Sequence, residues 1–260
     1  MEAVELEKIS WTDVEAKIKA GYLTVLFACG STEQHGPHLP LCTDTVLGTE
    51  TAVRAARMLG KAVVAPTIRP GCSEHHMGFP GTLTLSFDTF VRVLDDYCTS
   101  LARHGFKRIV FFSSHGGNTD LMVAHYPMIA KKLSDRSVVF MALPGLQAME
   151  RQAQFLLDRG VSRSRAGVHA GFTETAEMLV VASDLVKMER SAPGRSDEGF
   201  YAPEQIKWSQ LDSFVRGIRA QSPNGILGDP TGATPDVGEM LLQMRAEMVV
   251  EQVKRLPPVG

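Results

Sequence analysis

Cysteine is scarce, with four in 260 residues, and no two of them form a C-x-x-C pair. That excludes a zinc ribbon and a thioredoxin-like redox motif. Cys29, Cys42, Cys72 and Cys98 read instead as small buried hydrophobes in a reducing compartment, Cys42 being the one nearest the candidate site. Long apolar runs are also missing. No stretch approaches the roughly 18 uninterrupted apolar residues that suggest a membrane span. The N-terminal MEAVELEKISWTDVEAKIKAG is acidic and amphipathic, unlike a secretory leader, so a cytoplasmic location is expected. Charge of one sign is not in excess either: the formal net charge is -2 and no Lys or Arg run stands out. Nucleic acid and anionic membrane are therefore not the expected partners, which leaves a small molecule. Repeats, heptads and low-complexity tracts are absent.

What is present suits an ordinary globular chain, 44% hydrophobic and 22% charged. A body of this length buries roughly three quarters of the surface its unfolded chain exposes, so one core needs no disulfides. A single domain over residues 1–260 is expected, with a Gly-, Pro- and Ser-rich excursion over the surface around 191–232.

Four short runs rich in Val, Ile and Phe, at 23–28, 62–68, 108–113 and 137–143, predict buried strands. Helical patterns fall at 45–59, 87–104, 120–133 and 145–158, with later ones at 173–184 and 240–256. Such alternation predicts an α/β fold with a central, mostly parallel sheet flanked by helices. Segments that leave the carboxyl ends of parallel strands carry the ligand site. Five of the eight histidines, His35, His38, His75, His76 and His115, lie in or just after those segments.

In the first segment an extended backbone points Glu33 and His35 to one side, because residues two apart share a face. Asp44 follows just before a helical pattern, where it suits either a metal or an N-cap. Carboxylates with imidazoles suit zinc, manganese or iron. After the third strand, Ser114-His115-Gly116-Gly117-Asn118 opens a helix. Glycines there admit a close-approaching ligand, so Gly116 and Gly117 are candidate substrate contacts beside His115. A His-Gly-Gly sequence also occurs in serine-hydrolase oxyanion loops, but no G-x-S-x-G elbow exists here. The H-x-E and P-C-x-x-C pair of a cytidine deaminase is missing as well. In His169-Ala170-Gly171-Phe172-Thr173-Glu174, Glu174 suits a metal ligand and proton carrier, or an acid that merely complements the helix dipole. His169 suits a proton donor or substrate contact. Glu177, one turn on, reads as solvated or structural. His76, of the His75-His76 pair, is a candidate substrate contact. A non-enzymatic module that cradles a phosphate on the His-Gly-Gly loop is the competing reading.

At these residues the chain closely resembles the creatininase family of creatinine amidohydrolases. The matching pieces are Gly30-Ser31-Thr32-Glu33-Gln34-His35-Gly36-Pro37-His38-Leu39-Pro40-Leu41, Thr43-Asp44, Phe79-Pro80-Gly81-Thr82, His115-Gly116-Gly117-Asn118, His169-Ala170-Gly171 with Glu174-Thr175, and Gly228-Asp229-Pro230-Thr231-Gly232-Ala233. The resemblance implies a three-layer α/β hydrolase assembled as a homohexamer and holding two divalent ions per chain, commonly zinc, manganese or iron. By matching motif, Glu33 and His115 would serve one ion and His35 the other, with Asp44 bridging and His169 facing substrate. Creatininase itself has a metal-binding Glu where this chain has Gly117. In relatives with the Gly-Gly form the carboxylate comes from the His-Ala-Gly segment, here Glu174. The implied reaction is hydrolysis of the C–N bond of a small cyclic amide by a metal-activated water, with Glu174 and His169 as catalytic residues. Alternatives with the same site are deformylation of a ring-opened purine nucleotide, with Arg163, Arg165 and Arg195 as phosphate clamp, trimming of a modified peptide, or opening of a keto-inositol ring.

Overall fold

The computed structural model describes residues 4–143, 146–202 and 204–258. Helix α1 (Trp11–Lys19) starts on a capping box, Ser10 taking the Asp13 N–H while the Asp13 side chain takes that of Ser10. Strand β1 (Thr24–Cys29) leads through a long loop into α2 (Thr43–Leu59), then β2 (Ala62–Val64), α3 (Phe87–Arg103), β3 (Arg108–Ser113), α4 (Gly116–Lys132), β4 (Val138–Met141) and α5 (Leu146–Leu157). Next come α6 (Arg163–Ala166), α7 (Phe172–Val181), α8 (Glu198–Tyr201), α9 (Ile206–Arg216), α10 (Ile218–Gln221) and α11 (Pro235–Val253).

Among the described residues the four strands are all parallel, in the order β2-β1-β3-β4. Alternation along β1 sends Val25, Phe27 and Cys29 to one face, against Phe90, Leu94 and Cys98 of α3 and Met122 and Ile129 of α4. Leu26 and Ala28 go to the other face, with Ala52 and Ala56 of α2 and Ala246 and Val249 of α11. The result is the three-layer architecture expected. The chain steps outward from β1 to β2 and then returns to β3 on the far side of β1. The carboxyl ends of β1 and β3 therefore flank a topological switch point, where open α/β sheets bind ligands.

Several boundaries move. β2 ends at Val64 rather than near residue 68, because Pro66 has no N–H to continue a ladder; pairing resumes only as an isolated Cys29–Ile68 bridge. α4 begins at Gly116, four residues before the periodic pattern starts, and α11 at Pro235, whose fixed φ suits a first helical position. The start predicted for the helix at 145 lies outside the described residues; α5 is described from Leu146. The 191–232 stretch carries three helices, and its Phe200, Tyr201, Ile218, Ile226 and Leu227 are buried.

Candidate metal centre

Glu33 and His35 leave the end of β1 as expected, and both are wholly buried. Asp44 is not an N-cap. Helix α2 starts two residues earlier than expected, at Thr43, with Cys42 at its cap. Asp44 thus sits in the first helical turn, and its carboxylate turns inward to 2% exposure. Its two oxygens are divided: Oδ1 lies 3.3 Å from His35 Nε2 and Oδ2 3.0 Å from His115 Nδ1. Glu33 Oε1 is 3.5 Å from a ring nitrogen of both His35 and His115 and 3.6 Å from His169 Nδ1. Glu174 Oε2 reaches within 3.8 Å of His35 Nε2. Two clusters with converging donor atoms, Glu33–Asp44–His115 and His35–Asp44–Glu174, therefore share one carboxylate. Glu33–His35–His169 and His75–His76–His115 converge as well.

The imidazoles are held with particular nitrogens inward. His35 Nδ1–H donates to the Glu33 carbonyl at 3.2 Å, which turns Nε2 toward Asp44. His115 Nε2–H donates to the Cys72 carbonyl at 3.2 Å, leaving Nδ1 free on the same side. Fixing one nitrogen by a carbonyl so that the other can ligate is the ordinary outer-shell device of metal sites.

Burial raises the Glu33 carboxyl well above its usual range; His35 and His115 oppose this, while Asp44 and Glu174 add to it. Burial would also raise Asp44, but the adjacent His35 and His115 rings hold it well below the carboxylate range. Burial opposes charging of His35 and His115, yet Glu33 and Asp44 raise both. Burial and neighbouring imidazoles keep His76 and His169 neutral, and bring His75 down to about 2. Glu33 Oε1 and Oε2, Asp44 Oδ2 and His35 Nε2 are all buried without a hydrogen-bond partner. An unsatisfied buried polar atom costs about 1–3 kcal/mol, more if charged. Four of them facing one another, on carboxylates and an imidazole nitrogen, fit divalent cations.

The supporting residues were not visible as such in the sequence. Asn118, fully buried, accepts the Cys72 N–H on Oδ1 (2.9 Å) and donates from Nδ2 to the carbonyls of Cys29 (3.2 Å) and Gly30 (2.9 Å). It fastens three rim segments together. Gln34 turns away from Glu33 and His35 toward His76 and His169. His38 does not join the cage: its Nε2–H donates to Thr175 Oγ1 at 2.9 Å, tying the first loop to α7. Glu177 is not solvated but fully buried, paired with Arg245 Nε at 2.6 Å.

Gly117 packs so tightly that a Cβ there would lie 2.2 Å from the Cys72 carbonyl oxygen and 2.6 Å from His115 Nε2. The chain has no room for a side chain at that position. Gly116 faces open space. Glu174 is held by the Ala170 N–H, 2.6 Å from Oε2. Ala170 has φ +53°, a left-handed conformation rare outside glycine. Arg165 is engaged by Asp229 and the Thr231 carbonyl, and Arg195 by Asp197.

A parallel α/β sheet with a buried carboxylate–imidazole cage at its switch point is a candidate metal centre. The chain belongs to the creatininase family: the creatinine amidohydrolase family model matches residues 7–253. It is 33% identical over 239 residues to the mycofactocin precursor peptide peptidase of Mycolicibacterium smegmatis, covering 90% of this chain and 85% of that one. It is 27% identical to the creatinine amidohydrolase of Pseudomonas putida over 98% of both chains. A solved creatininase variant of Zn–Zn type shares the fold at TM-score 0.77, with 24% identity over 99% of this chain and 100% of that one. The chain is a hydrolase of this family, and among the described residues no helix is long and apolar enough to cross a membrane.

Proposed function

We propose that this chain is a metal-dependent amidohydrolase that breaks a C–N bond using two divalent cations held by Glu33, His35, Asp44, His115 and Glu174. The observation that carries this reading is the division of the Asp44 carboxylate between His35 and His115. Glu33, Asp44 and His115 would hold one ion, and His35, Asp44 and Glu174 the other, since the donor atoms of each trio converge. Zinc, manganese or iron suits this donor set, and zinc occupies the solved creatininase variant. Such ions lower the pKa of water and polarise a carbonyl.

The chain's own residues supply the rest. Glu174 is the cage acid most open to solvent, so it is placed to carry a proton to the leaving nitrogen. His169, its Nε2–H given to the Gln34 carbonyl at 2.8 Å, presents Nδ1 toward the cage and the incoming substrate. His76 is the other substrate contact, with the backbone at Gly116 and Gly117 lining the approach.

A modified peptide is the favoured substrate, on the strength of the mycobacterial relative and of α9. The Phe214 ring of that helix lies 4.3 Å from His75, and its Trp208, Leu211 and Val215 are exposed, an apolar shelf for something larger than one ring. A small cyclic amide is the second reading, supported by the end-to-end match to the P. putida enzyme. The engaged guanidinium groups of Arg165 and Arg195 give a nucleotide phosphate no support. Residues 1–260 act as one domain, in the cytoplasm, within a homohexamer of the family type. Light scattering tests the assembly.

Elemental analysis and a panel of peptides and cyclic amides, creatinine included, test the reading. About two equivalents of transition metal per chain are expected, with His35→Ala losing one of them and all turnover. Turnover that persists in chelator-stripped protein refutes it.

A further inference from the structure

Gln34 lies between two proposed ligands, yet its side chain points the other way and is 5% exposed. Its Oε1 accepts the Gly36 N–H at 2.9 Å. That orients the amide and presents Nε2, with two hydrogens, to Gly225 O at 3.1 Å, His76 Nδ1 at 3.0 Å and His169 Nε2 at 2.9 Å. His169 Nε2 already spends its proton on the Gln34 carbonyl. The two amide hydrogens therefore go to Gly225 O and His76 Nδ1. His76 must then accept at Nδ1 and carry its proton on Nε2. This matters because His76 Nδ1 stands 2.9 Å from Glu33 Oε2, an oxygen with no hydrogen-bond partner. A proton on Nδ1 would bind Glu33 and compete with any cation for that oxygen.

A second observation points the same way. Gly225 has φ +79°, and a Cβ on it would lie 2.0 Å from Gln34 Oε1. A side chain there would push the Gln34 amide aside and strain the backbone. Just after this contact, Leu227 exchanges backbone hydrogen bonds with His169 (2.9 and 3.3 Å), and Ile226 covers Gly36.

We infer that Gln34 is a positioning residue: its carboxamide fixes His76 as the Nε2–H tautomer, keeps that ring's proton off Glu33, and docks the 225–227 segment against His169. The inference rests on the metal reading above for the role of Glu33, but the tautomer itself is read without metal.

Long-range 1H–15N spectra of the histidine rings test it in wild type, Gln34→Glu and Gly225→Ala, each metal-free and zinc-loaded. A carboxylate at position 34 accepts where the amide donated. His76 should therefore switch to Nδ1–H in Gln34→Glu while His169 keeps Nε2–H, held by the backbone carbonyl. With zinc loaded, kcat on the panel substrate should fall about 10–100-fold, the usual cost of an outer-shell change, with KM moving far less. Gly225→Ala, which displaces the amide without removing it, should mix the His76 tautomers. An unchanged His76 tautomer in both variants overturns the inference. A wild type that takes up no zinc overturns the metal reading instead, and the metal-free spectra still decide the role of Gln34.

Discussion

Gly117→Ala is the sharpest single perturbation of the site that substitutes none of the proposed ligands. The added Cβ would meet the Cys72 carbonyl oxygen at 2.2 Å, His115 Nε2 at 2.6 Å and His75 Cε1 at 2.9 Å. The first of these is backbone, and it cannot yield freely: the Cys72 N–H is bound to Asn118 and its carbonyl receives the His115 ring. Relief requires about an ångström of movement in the 72–73 loop or the start of α4, and His115 moves with either. Overpacking of this kind costs about 1–3 kcal/mol. Alanine's better helix propensity returns up to about 1 kcal/mol. The net loss is about 1–2 kcal/mol, a fall in Tm of about 2–8 °C for a chain of this size. Gly116→Ala, one residue earlier and with nothing within 4 Å, should be neutral or gain stability. Thermal unfolding of the three proteins, metal-free and with zinc, reads the contrast. Gly117→Ala should also retain less zinc, since His115 is displaced. If it melts with Gly116→Ala and keeps full zinc content, the packing argument is wrong.

Other consequences are as direct. Glu33, His35 and His115 all hold protons more tightly in the metal-free cage, so cation binding must expel them. Zinc affinity should therefore rise with pH, and titration calorimetry in buffers of different ionisation heat should detect proton release. Burial raises Glu177 to about 7 from 4.5, the Arg245 pair opposing. The folded chain then binds this proton more tightly than the unfolded chain, and stability declines as pH rises from about 4.5 through about 7, by about 3 kcal/mol. Glu177→Gln should flatten that slope in metal-free urea unfolding, and an unchanged slope counts against it. Asn118→Ala strands the Cys72 N–H and the Gly30 carbonyl, the Cys29 carbonyl keeping the Ser114 N–H, and should cost about 2–3 kcal/mol and loosen zinc, by the same two assays.

The sheet was legible because each strand is a short β-rich run, β1 and β2 buried on both faces, and Glu33, His35 and His115 followed from where such strands end. Asp44 was found for its chemistry but misplaced in its helix, since nothing local distinguishes a cap from a first-turn residue whose side chain turns inward. The supporting shell was not legible at all. Asn118 pairs with residues 88 and 89 positions away, Gln34 with a carbonyl 191 away and Glu177 with an arginine 68 away. Local pattern carries no record of such separations. Glu177 shows the cost: an acid in a helix reads as solvated or structural alike until its buried cation is known.

Ala170 bends the chain in a way that favours glycine, at a cost of roughly 1–2 kcal/mol. What that outlay secures is the aim of one N–H at Glu174, the cage acid nearest to open water. The turn behaves as a tensioned latch. Relaxing it with glycine would make the polypeptide sturdier while freeing Glu174 to swing, so robustness and turnover would part company at a residue that never meets substrate.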